Sequence, residues 1–90
     1  MRLIEHLLKW QYQPERRGSS WERTIVVQRG DIQQILAENP SFRSTLPDTI
    51  AQAYLRAVAA AAAIMKRSAG EFPGTCPYTP DQLLDENFLP

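Results

Sequence analysis

Between Pro47 and Ser68 the residues Ile50, Tyr54, Ala57, Val58, Ala61, Ile64, Met65 and Ser68 recur at three- and four-residue spacing, the most regular amphipathic stripe in the chain. That pattern predicts a helix, and its length sets the size of whatever it belongs to. At about 1.5 Å per residue, Pro47 to Ala69 spans ~34 Å, the width of a whole small domain. Pro47 and Asp48 suit a first turn, Lys66 and Arg67 complement the dipole of the last, and Gly70 is the expected left-handed stop. In 90 residues with 43% hydrophobic content, such a rod leaves room for one core. Two domains are excluded, and residues 1–90 read as a single helical domain.

Two shorter helices are expected ahead of it. Leu3, Ile4, Leu7 and Leu8, continued by Gln11 and Tyr12, form one apolar stripe with Arg2, Glu5 and Lys9 outside it, and Pro14 stops the pattern. The polar stretch Gln13–Ser20 reads as a connection. Ser19 and Glu22 have capping-box spacing, so a second helix is expected to start near Trp21, with Trp21, Ile25, Ile32, Ile35 and Leu36 inward. Pro40 ends it, because proline lacks an N–H and restricts Asn39. Gly30 is a weak point within one continuous helix, since the stripe keeps its phase across it. Ser41–Leu46 is expected to be a separate short turn with Phe42 and Leu46 inward. After Gly70, the prolines at 73, 77 and 80 predict an extended arm, and Thr79, Pro80 and Gln82 predict a capped terminal turn carrying Leu83 and Leu84. The fold class is therefore all-α: an irregular bundle of about three main helices with a Pro-rich C-terminal arm and a short terminal helical turn.

Composition removes several classes of function. One cysteine, Cys76, cannot close an internal disulfide, which excludes a stapled secreted scaffold and favours a reducing cytosol. The apolar residues near the N-terminus are interrupted by Glu5, His6 and Lys9, and the longest apolar run, Ala57–Met65, falls short of the ~20 residues of a membrane span. A cytoplasmic protein without a membrane partner is expected.

Ten basic side chains balance ten acidic ones. The balance hides an asymmetry, because residues 1–30 hold six basic against three acidic groups and residues 31–90 hold four against seven. The simplest reading is a match between a basic front and an acidic tail. A second reading is a nucleic-acid surface built on Arg16, Arg17, Arg23 and Arg29 with Trp10, Tyr12 and Trp21 for stacking. It is possible but not favoured, since both tryptophans fall at core phase.

Several short strings fall in one order: His6-Leu7-Leu8-Lys9-Trp10, Gln13-Pro14-Glu15, Ser20-Trp21, Thr24-Ile25, Asn39-Pro40-Ser41, Tyr54, Phe72-Pro73, Cys76-Pro77-Tyr78, Gln82-Leu83-Leu84 and Phe88. In that succession the chain resembles the bacterial domain of unknown function 29 family over nearly its whole length. The resemblance implies an all-helical cytosolic bacterial protein without an assigned activity. Such proteins usually carry a further helical segment ahead of the His-Leu-Leu-Lys string, so the chain is expected to be the C-terminal portion of the family's fold. Gly30 departs from the pattern and puts the straightness of the second helix in question.

No catalytic, cofactor or metal set converges in the sequence. His6, Lys9 and Glu5 are the only candidates for proton transfer, and helix-surface placement explains them more simply. Cys76 has no second thiol and no histidine at ligand spacing, so it reads as a packed structural residue. Trp21 and Tyr54 read as aromatic core anchors, with Pro40 and Cys76 as further structural positions. The favoured function is a non-enzymatic interaction module, with a protein partner or a second copy covering Leu3, Leu7 and Leu8 beside His6 and Lys9.

Overall fold

The computed structural model describes residues 1–90, which form helices and turns without a strand. Four α-helices follow in chain order: α1 (Arg2–Tyr12), α2 (Ser19–Glu38), α3 (Phe42–Met65) and α4 (Pro80–Leu84). Single 3₁₀ turns occupy Pro14–Arg16 and Ala69–Glu71. The all-α architecture with three main helices, an arm and a short terminal helix is as expected. No helix is long and apolar enough to cross a membrane.

The centre of the molecule is α1, although α3 is longer. It packs against both α3 and α2, which scarcely touch each other. Leu3, Ile4, Leu7 and Leu8 are consequently all fully buried. The expectation that Leu3, Leu7 and Leu8 form an open face is therefore corrected: two helices of the same chain cover the stripe from either side. Its period of 3.6 specified burial, and the chain supplies the cover.

Helix α2 begins at Ser19 rather than near Trp21. Extended Gly18 serves as its N-cap with no side-chain cap, and the Glu22 N–H donates to the Gly18 carbonyl at 3.1 Å. The Ser19–Glu22 capping box is thus absent, because Ser19 already lies inside the helix. Trp21 is half-exposed and stands outside the buried cluster, which corrects its reading as a core anchor. The helix runs through Gly30 without a break. Gly30 is exposed, and a Cβ added there would meet nothing within 4 Å. Gly30→Ala is accordingly expected to stabilise the protein by about 1 kcal/mol, read as a higher urea midpoint at unchanged slope. A lowered midpoint would refute this account of the position.

Helix α3 begins at Phe42 and absorbs Pro47, so the separate turn and the later start are both corrected. The amides of Phe42, Arg43 and Ser44 bond to carbonyls three residues back, at Asn39, Pro40 and Ser41. This tight entry continues directly into the α-helix and brings Leu46 into the core. Pro47 forfeits a single backbone bond near the helix start, where the loss is smallest. At the other end the helix stops at Met65. Lys66 takes the left-handed conformation (φ 55°, ψ 43°), and the Lys66 and Arg67 amides close onto the Ala63 and Ala62 carbonyls. Gly70, the expected stop, falls instead in the 3₁₀ turn, which is held by the reciprocal Ser68–Glu71 capping box.

The arm then wraps back over α1 and α3. Phe72, Tyr78 and Leu83 are buried, and edge-to-face contacts join Phe72 to Tyr12 and Phe88 to Tyr78. Thr79 caps α4 in a reciprocal box with Gln82, and Pro80 occupies the first turn as expected. The backbone extends 37 × 28 × 16 Å, and its shortest dimension is that of two packed helices, each a Cα cylinder of about 4.6 Å with axes about 8–10 Å apart. A slab that thin cannot cover all its apolar groups: Val26, Val27, Ile35, Phe42, Leu55, Ile64 and Leu89 remain exposed. Ile35, Phe42 and Ile64 were expected inward, and they lie outside because α2 and α3 each face α1 rather than one another.

Candidate interaction surface

The polar residues singled out in the sequence are mostly used inside the molecule. The Nδ1–H of His6 donates to the Arg2 carbonyl at 2.9 Å, one helical turn back, and the ring is buried. A carbonyl only accepts, so this bond fixes the tautomer. Burial holds the imidazole below its ordinary range, outweighing the carbonyl bond that favours its charged form. Lys9 is buried beside it, with its ammonium 3.9 Å from Glu5 and 5.6 Å from the centre of the Trp21 ring.

Three arginines, Arg17, Arg29 and Arg67, donate to backbone carbonyls near helix ends. Arg17 Nε donates to the Trp10 carbonyl at 2.8 Å, its guanidinium lies 5.3 Å from the Trp10 ring centre, and Nη2 reaches the Pro90 carbonyl at 3.4 Å. Arg67 does the same for Tyr12, donating to its carbonyl at 3.3 Å. The last carbonyls of α1 lack partners inside the helix, so two cations complete that terminus. Arg29 is only 2% exposed and donates to the Leu83 carbonyl at 2.7 Å and the Phe88 carbonyl at 3.1 Å, while Gln33 reaches the Leu84 carbonyl at 2.7 Å. The expected match between a basic front and an acidic tail holds only in part: burial weakens the charged form of Arg29, and Asp85 of the tail favours it. The single ion pair is Lys9–Glu5, and the hydrogen-bond partners of Arg17 and Arg29 are backbone carbonyls.

Of the four arginines considered for nucleic acid, Arg16, Arg17 and Arg23 remain exposed. Arg23 shares a polar hollow of about 260 Å³ with Arg2, Thr24 and Gln28. Arg17 and Arg29 are committed to the arm.

Tyr54 is buried, and its hydroxyl donates to the Pro73 carbonyl at 2.6 Å. The Tyr78 hydroxyl donates to Gln11 Oε1 at 2.7 Å. Burial pushes both phenols above their ordinary range. Cys76 is half-buried, its thiol donates to the Tyr78 carbonyl at 3.5 Å, and burial likewise raises it, away from the reactive thiolate. Pro40 lies exposed at the corner between α2 and α3. No group of three His, Cys, Asp or Glu side chains is placed to hold a common metal ion.

These shifts give stability a defined pH dependence. Below about 6.5 the unfolded chain takes up a proton that the folded His6 site resists, so stability falls as pH drops through that value. Above about 9 the unfolded chain ionises Cys76, and above about 10 Tyr54 and Tyr78, all of which the fold holds neutral, so stability falls again. Melting temperature against pH should show both limbs, and His6→Gln should remove the near-neutral part of the acid one. An acid limb identical in His6→Gln would contradict the assignment.

The concave surfaces lie elsewhere. One apolar groove of about 360 Å³ is formed by Met1 with Ile32, Ile35 and Leu36 of α2 and Phe42 and Leu46 of α3. A second runs between α3 and the arm in two compartments that share Tyr54, Leu55 and Gly74. One of about 280 Å³ lies at Cys76 and Tyr78, and one of about 450 Å³ lies at Ala59, Gly70 and Pro73. No charged side chain lines any of the three. Glu5, His6 and Lys9 line none of them either. The sequence reading missed Leu55, and the signal available was its position just outside the inward stripe of α3.

Compared with known proteins, residues 1–89 match the family model described as Domain of unknown function DUF29. No curated protein and no solved structure gives a match.

Proposed function

The chain belongs to the DUF29 family, which carries no assigned activity, and from that premise we propose that it is a non-enzymatic protein-interaction module. The observation that supports this reading is the set of seven large apolar side chains left exposed on a thin slab, several of them lining grooves free of charge. Ile35 and Phe42 share one groove and Leu55 lines the other, and apolar side chains grouped at a concave surface mark a contact site where scattered ones do not. The side chains with acid–base chemistry point the other way, since His6 and Lys9 are packed on α1 away from any hollow.

An apolar fluorescent dye such as anilinonaphthalene sulfonate tests the reading. The folded protein, shown by a cooperative melt, is expected to enhance and blue-shift the dye. A Phe42→Ser, Leu55→Ser double variant should lose most of the enhancement while keeping the melt. A folded protein that leaves the dye unaffected removes the proposal. Nucleic-acid binding is the alternative, resting on exposed Arg16 and Arg23 together with Arg2. No mobility shift of a labelled oligonucleotide is expected at low salt, and a salt-sensitive shift lost in Arg2→Ala, Arg23→Ala would transfer the assignment.

A further inference from the structure

We propose that the partner of the α3 face is a second copy of this chain, docked antiparallel about a two-fold axis at the level of Ala57. The pairing deepens the interaction reading and rests on it.

The surface is self-complementary in shape. Leu55 is 66% exposed and projects from α3, while one turn further on Ala59 lies at the edge of the 450 Å³ compartment walled by Val58, Gly70 and Pro73. A knob and a hollow thus sit side by side, with Leu55 also forming one wall of the hollow between α3 and the arm. In an antiparallel pair centred at Ala57, Leu55 of each copy opposes Ala59 of the other and enters that hollow. Ala51 then opposes Ala63, both exposed and small enough for close approach of the two helices. The contact is isologous, so the two-fold closes it and no filament follows.

The charges at the two ends of the strip fit the same register, while exposed Arg56 lies at its rim beside its own symmetry mate. At 100° per residue, Asp48, Leu55 and Ala59 lie within about 40° of one another around α3. Lys66 caps that row at its far end, and both Asp48 and Lys66 are exposed with no ion-pair partner in the chain. Antiparallel docking places Asp48 of each copy opposite Lys66 of the other, at both ends of a strip that also carries exposed Gln52. Parallel docking would instead oppose like charges. The helix dipoles also favour the antiparallel arrangement. From Asp48 to Lys66 the strip is ~27 Å long and about 10 Å wide, a few hundred Å² per copy against the roughly 800 Å² of a standard interface. The pair is therefore weak and concentration-dependent.

Sedimentation equilibrium over rising concentration tests the pairing. A monomer–dimer equilibrium is expected for the parent. Leu55→Glu, at an exposed site, should keep the thermal melt and weaken the dimer by at least about tenfold, because it sends a carboxylate into the hollow. Asp48→Lys should weaken it by about fivefold, and adding Lys66→Asp should restore most of that loss. A parent that stays monomeric at the highest concentration overturns the pairing. So does a Leu55→Glu protein that associates like the parent, and so does a double charge swap no better than Asp48→Lys. A protein that binds the apolar dye yet stays monomeric would overturn the pairing while leaving the interaction reading in place.

Discussion

Leu7→Ala is expected to destabilise the protein by about 3 kcal/mol, whereas Trp21→Ala should cost about 1 kcal/mol or less. Leu7 is fully buried on the helix that holds α2 and α3 together. Truncation there leaves a cavity in the buried core, and the lost transfer energy and the cavity add. Trp21 is larger, but it stands outside the buried cluster, partly in solvent with the Lys9 ammonium over its ring. Urea denaturation of the two variants decides the matter. If Trp21→Ala proves the more damaging, α1 is not the centre of the structure. Small domains hold about 5–15 kcal/mol in total, so Leu7→Ala should also be visibly less folded on warming.

Arg29→Met is expected to cost about 3 kcal/mol, although methionine preserves much of the apolar stem. The substitution strips a buried carbonyl, of Leu83, and a part-buried one, of Phe88, of their charged donor. Arg29→Lys should recover less than half of the loss, because one ammonium cannot reproduce two N–H groups aimed along separate directions. The local consequence should be larger still. Amide hydrogen exchange in α4 and in the segment through Phe88 should accelerate well beyond the global change, because α2 holds that segment through Arg29 and Gln33. Uniform acceleration across the whole chain would contradict a local fastening. Arg29 read as a possible phosphate contact in the sequence, and the structure gives its cation an internal task.

What could be read from the residues followed from how far each signal reaches. The Thr79–Gln82 box and Pro80 act within four residues, so the start of α4 was legible in full. The stripe of Leu3, Ile4, Leu7 and Leu8 declared a buried face, since periodicity reports one whatever covers it. What covers it is decided by residues far along the chain, and there the reading failed. The Ser19–Glu22 pair has the spacing of a cap without the position of one. Lys66 takes the left-handed stop without the glycine that advertises it, and Pro47 sits inside a helix because α3 opens with a tight turn. Along Ala57–Ala63, alanine suits either side of a helix, so apolarity could not separate the covered face from the one that carries Leu55.

The fastening of the arm to α2 and α1 also bears on how the chain acquires its structure during synthesis. Arg17 to Pro90, Arg29 to Phe88 and Tyr78 to Gln11 each join residues separated by 59 or more positions, and Phe72, Tyr78 and Leu83 complete a core whose first members are Leu3 and Ile4. Loop-closure entropy must be met before such distant contacts return anything. A ribosome that has released α1, α2 and α3 has therefore produced helices with an open seam, and the protein becomes a closed unit only after the arm has left the exit tunnel.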